Sequence, residues 1–120
     1  MGSKIVTAMH IDEKYLWTRH AHEKMRFYRL TESRIKRIIR HPTRLEEGIL
    51  EGAVACMQVA EGKNYSEIWT MYVLTANRGP QLARHKDKQI KIITAWRYPG
   101  KSPERDPVPP EVLREVRKIL

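Results

Sequence analysis

The sequence predicts an α+β domain in which two N-terminal helices pack on a twisted, mainly antiparallel sheet of four strands, with a C-terminal helix after the sheet. Three observations predict this fold class. Apolar residues recur at helical spacing before residue 42, short strand patterns follow up to residue 98, and helical spacing returns after residue 110. The 120 residues form one domain, 1–120, which is long enough to bury a core without disulfides.

The N-terminal part of the chain is predicted to hold an arm and two helices. Residues 1–14 form an irregular arm or, over Lys4–Ile11, a short strand. A helix is predicted over Leu16–Tyr28, where one apolar stripe contains Trp17, Ala21, Met25 and Tyr28. Thr31 is the expected N-cap of a second helix, which buries Ile35, Ile38 and Ile39 and ends at His41-Pro42.

The rest of the chain is predicted to supply the sheet and the last helix. Strands are expected over Arg44–Glu51, Ala53–Ala60, Ser66–Ala76 and Gln89–Tyr98, the first three joined as hairpins. The last strand is apolar on both faces, which is typical of an interior strand covered on both sides. A polar, basic loop over Asn77–Lys88 precedes it. Residues 99–110 form a proline-rich connection, and residues 111–120 form the terminal helix.

Charge and cysteine content limit the function classes. A formal charge of +9 favours an anionic partner such as nucleic acid or an acidic protein, and charge alone does not choose between them. Cys56, the only cysteine, lies in an apolar run and is expected to be buried. The pair His20 and His22 would point about 200° apart on a helix, so we predict no metal site and no cofactor. No segment reaches the roughly 18 apolar residues of a membrane span, and no signal-peptide core begins the chain, which predicts a cytoplasmic protein without membrane contact.

A basic and aromatic set of residues is the candidate site. Cleavage of RNA by its own 2′-hydroxyl needs a base, an acid and cations near the phosphate, and it needs no metal. We therefore expect His20, Arg97 and Arg105 to be catalytic. Substrate-binding roles are expected for Lys24, Arg84, His85, Lys86, Trp96, Tyr98 and Lys101, with the aromatic rings stacking bases. The alternative is that Trp96 and Tyr98 belong to the core, that His20 is a hydrogen-bonded histidine at the edge of its helix, and that the other side chains are solvated.

His20 and Lys24 fall within the apolar arc of the first helix rather than opposite it. Burial beside an ammonium group predicts a lowered pKa for His20, which would keep it neutral at pH 7. The alternative is a carboxylate, that of Glu23 or one from the strands, that pairs with the imidazole, holds the helix to the sheet and raises the pKa of His20.

Two stretches of the chain resemble known proteins. TRHAHEKMRFYRLTESRIKRIIRHPTRLEEG, from Thr18 to Gly48, is similar to a family of small bacterial domains of unassigned function. KIITAWRYPG resembles the late strand of BrnT and other RelE-like toxins, in which a Glu-Arg pair can follow, as Glu104-Arg105 does here. By position, His20 and Lys24 match the family's opening, and Arg97 matches the late strand. The Asn77–Lys88 insert and the proline-rich tail depart from the family's pattern.

The resemblance implies a domain with helices on one face of a twisted sheet, often paired with an antitoxin, whose basic, tyrosine-bearing surface cuts messenger RNA. Our first hypothesis is accordingly a RelE-superfamily endoribonuclease toxin, or an inactive descendant, that acts without a metal. The second hypothesis is a non-catalytic RNA-binding or protein-interaction module. It would use the basic face of the second helix, which carries Arg34, Lys36, Arg37 and Arg40.

Overall fold

The computed structural model describes residues 9–11, 14–75 and 89–120, with side chains from residue 14 onward. The strands are β1 (Met9–Ile11), β2 (Tyr15–Thr18), β3 (Arg44–Glu47), β4 (Ala53–Val59), β5 (Ser66–Thr75) and β6 (Gln89–Pro99). The helices are α1 (Arg19–Tyr28), α2 (Glu32–Arg40) and α3 (Pro110–Ile119). The α+β class is therefore confirmed.

The sheet is larger than the four antiparallel strands predicted. Its described strands are six, in the order β1-β2-β6-β5-β4-β3. Strands β2 and β6 pair in parallel, from Tyr15 opposite Ile90 to Trp17 opposite Ile92, and every other pair is antiparallel. The prediction was wrong because it assigned residues 16–18 to a helix and so left β6 without its second neighbour.

The first helix begins at Arg19 rather than Leu16. Thr18 ends β2 and caps α1, because its Oγ1 accepts a hydrogen bond from the Ala21 amide at 3.1 Å. The same hydroxyl donates to the carbonyl of Ile92 at 2.8 Å. Trp17, which was expected on the helical stripe, is buried in β2 instead. Apolar residues recur every four positions from Trp17 to Met25, across the end of β2 and the start of α1. This periodicity alone could therefore not separate the strand from the helix.

Two apolar clusters lie on opposite faces of the sheet. Helices α1 and α2 cover one face, where Met25 and Ile35 pack with Ile68 and Ile92. The other face carries the second cluster, which contains Trp69 and Trp96 and to which the C-terminal segment contributes Val108 and Val116. Because adjacent strand residues alternate between the clusters, β6 is covered on both sides, as predicted. The resemblance implied helices on one face only, whereas α3 packs on the opposite face from α1 and α2.

The remaining boundaries agree with the prediction except at β3. That strand ends at Glu47, before Gly48 and Gly52, whose φ angles of 82° and 80° belong to turns. Residues 100–109 contain no helix or strand. Cys56 is buried, and burial raises the pKa of its thiol to about 12. The predicted strand over Lys4–Ile11 is described only from Met9, and the loop Asn77–Lys88 lies outside the described residues.

Candidate nucleic-acid interface

Four arginines from three parts of the chain line one cavity, which we call the arginine cleft. They are Arg29, Arg34, Arg37 and Arg97, and the cavity has a volume of about 350 Å³. Its lining also includes Leu30, Thr31, Ala60, Glu61 and Ile68. Glu61 therefore brings the only carboxylate in this lining. Four arginines in one lining concentrate positive charge there, and an anion bound among them would offset part of that charge.

Local structure explains how each arginine reaches the cleft. Arg29 follows α1 in the left-handed conformation, with φ 59° and ψ 50°, and its amide donates to the Arg26 carbonyl. A residue other than glycine pays about 1 kcal/mol in this conformation. Arg34 and Arg37 are three residues apart on α2 and so share one face. Arg97 is exposed on β6, and its Nε donates to the Tyr28 carbonyl at 2.9 Å.

A second concavity, the β6 groove, runs along the open side of β6. Beyond Ile92, β2 has ended and no described strand pairs with this side of β6. The groove has a volume of about 500 Å³ and is lined by residues 94–99 of β6, residues 103 and 106–112, and Lys24, Tyr28 and Glu115. Its charged residues are two cations and three carboxylates: Lys24, Arg97, Asp106, Glu111 and Glu115. This balance disfavours a phosphate chain in the groove.

His20 lies beside the groove, in a cluster that includes a carboxylate from α3. Its Nε2 is 3.6 Å from Glu115 Oε1, and the Nζ of Lys24 is 3.3 Å from the same oxygen. Burial lowers the pKa of His20 below its ordinary value, and the positive charge of Lys24 lowers it too, although Glu115 and Glu23 act in the opposite direction. This direction is the one that the sequence predicted. The nearest carboxylate, however, comes from Glu115 rather than Glu23.

We expect the two neighbours of His20 to shift its pKa in opposite directions. NMR titration of His20 should give a pKa below 6.5. Glu115→Gln should lower that pKa further, because it removes a negative charge, and Lys24→Met should raise it. Because its folded pKa is lowered, His20 is harder to protonate in the folded chain than in the unfolded chain. The stability that depends on neutral His20 is therefore complete above about pH 6.5 and is lost as the pH falls through the folded pKa. A rise in the pKa of His20 in Glu115→Gln, or a fall in Lys24→Met, would contradict these roles of the two neighbours.

The structure brings some of the predicted site residues together and separates others. Lys24, Arg97 and Tyr98 all line the β6 groove. Arg105 is exposed in a different cavity, which it shares with Glu46, Glu47 and Arg117, so the three residues expected to be catalytic do not form one site. Lys101 is exposed beyond the turn at Gly100. Arg84, His85 and Lys86 lie outside the described residues.

Trp96 belongs to the core rather than to a base-stacking surface. Its side chain is 2% exposed, and its ring stacks on Trp69 with 5.7 Å between the centroids and an interplanar angle of 5°. Of the two interpretations that the sequence left open, the structure supports the core role for Trp96. Tyr98 is half-buried and packs against the same cluster while it lines the groove.

The basic face of α2 is divided among several interactions. Arg34 pairs with Glu61 at 3.1 Å, and the Nζ of Lys36 lies 5.1 Å from the ring centroid of Tyr15. Arg37 and Arg40 are both exposed, but only Arg37 lines the arginine cleft. The sequence indicated the basic helix. It did not indicate that Arg29 and Arg97 join it, because that requires the positions of α1 and β6.

A buried carboxylate that sequence reasoning missed holds the proline-rich connection against the sheet. Glu67 is 1% exposed and accepts hydrogen bonds from Ser102 Oγ at 2.6 Å, Trp69 Nε1 at 2.9 Å and Tyr65 OH at 2.9 Å. Burial raises the pKa of Glu67, but these donors, with the Ser102 amide, together outweigh it, so the net pKa lies below its ordinary value. Tyr65, just before β5, and Glu67 and Trp69 within it occupy every second position, and that spacing was the available signal.

Arg44 extends this network to the loop after β6. Its Nη1 donates to Ser102 Oγ at 3.2 Å, and its Nη2 donates to the carbonyls of Pro103 and Glu104 at 2.9 and 2.8 Å. The guanidinium also lies over the Trp69 ring, 5.6 Å from its centroid. The wall of the β6 groove is therefore attached to β3 and β5 by directed hydrogen bonds.

Within the described ranges, no helix has the length and apolar character needed to span a membrane. The chain matches no family model, no curated protein and no solved structure. Function is accordingly inferred from the geometry of the two concavities.

Proposed function

We propose that the protein is an RNA-binding domain of RelE-like architecture that contacts RNA phosphates through the arginine cleft. The observation that carries the proposal is the convergence of four arginines on one cavity with a single carboxylate in its lining. Guanidinium groups bind phosphate oxygens in a bidentate manner, and such contacts supply most of the affinity of sequence-independent nucleic-acid binding. The formal charge of +9 adds a long-range attraction for the same ligand. The proposal includes a cytoplasmic location, where RNA is available as a ligand.

Arg37→Met is expected to weaken binding of a single-stranded RNA oligonucleotide about tenfold. Arg37 is exposed, so the substitution removes a phosphate contact with little effect on folding. The measurement is fluorescence anisotropy at several sodium chloride concentrations. The slope of log affinity against log salt should fall by about 0.7 when one single-strand contact is lost.

Lys118→Met is the matched control, because Lys118 is an exposed cation on α3 that lines neither the arginine cleft nor the β6 groove. It removes the same charge and should leave the salt slope unchanged. Equal effects of the two substitutions would mean that RNA responds only to overall charge, and the cleft would then not be the binding site.

RNA cleavage of the RelE type is the second candidate function, and the lowered pKa of His20 favours it. A neutral imidazole can accept the proton of a 2′-hydroxyl, and Arg97 can stabilise charge on the phosphate. Glu115 offsets the charge of Lys24, and Arg105 lies in another cavity, so we rank cleavage below binding. The same RNA, recovered after incubation and run on a denaturing gel, separates the two functions. Cleavage that disappears in Arg97→Lys would favour the endoribonuclease, with an antitoxin or another acidic protein as its partner.

A further inference from the structure

Arg34 differs from the other arginines of the cleft in its burial and in its unfilled hydrogen-bonding capacity. Its side chain is 13% exposed, whereas Arg29, Arg37 and Arg97 are exposed residues. Nη1 donates to Glu61 Oε1 at 3.1 Å, and Nη2 donates to the Val59 carbonyl at 3.4 Å. The Nε atom is buried and has no hydrogen-bond partner among the described residues. Only two of the five guanidinium N–H donors have a described acceptor, so Arg34 can bind a ligand with several acceptor oxygens.

Glu61 is the only anion that Arg34 contacts in the described structure, and it is poorly held. Its side chain is 82% exposed, in the turn between β4 and β5. The hydrogen bond from Arg34 lowers the pKa of Glu61, so its carboxylate is ionised at neutral pH. An exposed ion pair of this kind adds little to stability. Glu61 can therefore leave Arg34 at little cost when a stronger anion arrives.

We propose that Arg34 is the centre of a discrete phosphate subsite in the arginine cleft, and that Glu61 is the internal anion which a phosphate displaces. A phosphate can accept from Nη1 of Arg34 in the position that Glu61 holds, and it has further oxygens for the other arginines of the cleft, which Glu61 is not seen to contact here. Arg37, one turn further along α2, and Arg29 supply further donors. The inference deepens the proposed RNA-binding function by naming its contact. The phosphate comes either from the diester backbone of RNA or from a terminal phosphate.

Inorganic phosphate is the first probe, because it tests the subsite without RNA. Thermal unfolding of the whole chain is followed as phosphate replaces sodium chloride at constant ionic strength. We expect a saturable rise in the melting temperature with phosphate. Arg34→Lys retains the charge but loses the planar fork, and it should weaken phosphate binding about tenfold. Arg40→Lys makes the same change at an exposed arginine of α2 outside the cleft and should leave binding unaltered.

Removal of the internal anion should have the opposite effect. Glu61→Gln is expected to tighten phosphate binding about threefold, because the ligand no longer competes with the carboxylate. Glu51→Gln, which removes an exposed carboxylate outside the cleft lining, corrects for the change in net charge. Equal effects of Arg34→Lys and Arg40→Lys, or no rise in melting temperature with phosphate, would overturn the subsite. Equal effects of Glu61→Gln and Glu51→Gln would overturn the role of Glu61.

Two RNA probes then identify the source of the phosphate. The same short RNA is prepared with a 5′-hydroxyl or a 5′-phosphate, and each is competed against inorganic phosphate. Competition by both RNAs supports the backbone diester, and competition by the 5′-phosphorylated RNA alone supports the terminal group. If neither RNA competes, the subsite is not an RNA contact and the inference fails as stated. A different result would contradict the proposed function itself: an RNA affinity that Arg37→Met leaves unchanged.

Discussion

Replacing Glu67 with glutamine is expected to lower the free energy of unfolding by about 3 kcal/mol. The four groups that bind this carboxylate are all donors, from Ser102 (hydroxyl and amide), Trp69 and Tyr65. Glutamine offers one acceptor oxygen and turns an NH₂ group toward the remaining donors. At least two charge-assisted hydrogen bonds to a buried side chain are lost. Urea denaturation measures the change, which corresponds to a fall in melting temperature of roughly 10 °C for a chain of this size.

Glu47→Gln provides the control, because Glu47 is an exposed carboxylate in the neighbouring part of the sheet. Its effect should stay within about 0.5 kcal/mol. A loss below about 1 kcal/mol in Glu67→Gln would show that the network contributes no more than one ordinary hydrogen bond.

The contribution of Glu67 also has a predictable pH dependence. Its folded pKa lies below the unfolded value of about 4.3, so its stabilising effect is complete above that pH and is lost as the pH falls through the folded pKa. The stability gap between the wild type and Glu67→Gln should therefore narrow in acid. A gap that stays constant down to about pH 3 would contradict the ionised state of the buried carboxylate.

Thr18→Val should cost about 3 kcal/mol, although the two side chains have nearly the same shape. The buried hydroxyl both caps α1 at Ala21 and donates to the Ile92 carbonyl of β6. Valine leaves both main-chain groups without that partner in the core, and each unsatisfied buried group costs about 1 to 3 kcal/mol.

Thr31→Val is the matched comparison. Thr31 caps α2 through the Arg34 amide at 3.1 Å but is exposed, so its loss should cost only about 1 kcal/mol. The difference between the two variants, measured by denaturation under the same conditions, reports the bond to Ile92. Equal losses would mean that Thr18 acts as an N-cap alone.

Sequence patterns predicted the elements whose environment is uniform along their length. The apolar stripe of Ile35 and Ile38 predicted α2, and the two apolar faces around Ile92 predicted that β6 is an interior strand. Both predictions succeeded because each pattern repeats over several residues. The pattern failed at residues 15–18, where a strand of four residues precedes the helix. Such a short strand contains too few alternations to outweigh the helical spacing that follows it.

The site was harder to predict because its residues meet only in three dimensions. Arg97 was correctly placed at the end of β6, but its partners Arg29 and Arg34 belong to other elements. Glu115 was not anticipated as a neighbour of His20, since α3 docks by apolar contacts that do not specify which polar residue faces α1. Spacing along the chain contains no information on such long-range contacts.

The parallel pairing of β2 with β6 determines the order in which the chain can assemble. Strands β3 to β6 each pair with the next along the sequence, whereas 74 positions separate Thr18 from the Ile92 carbonyl that it binds. Contacts between residues so far apart in the sequence carry a larger loop-closure entropy than contacts between neighbouring strands, and they form later in folding. During synthesis, β2 therefore stays without β6 until most of these residues have emerged, and the β3–β6 meander is the part able to nucleate first.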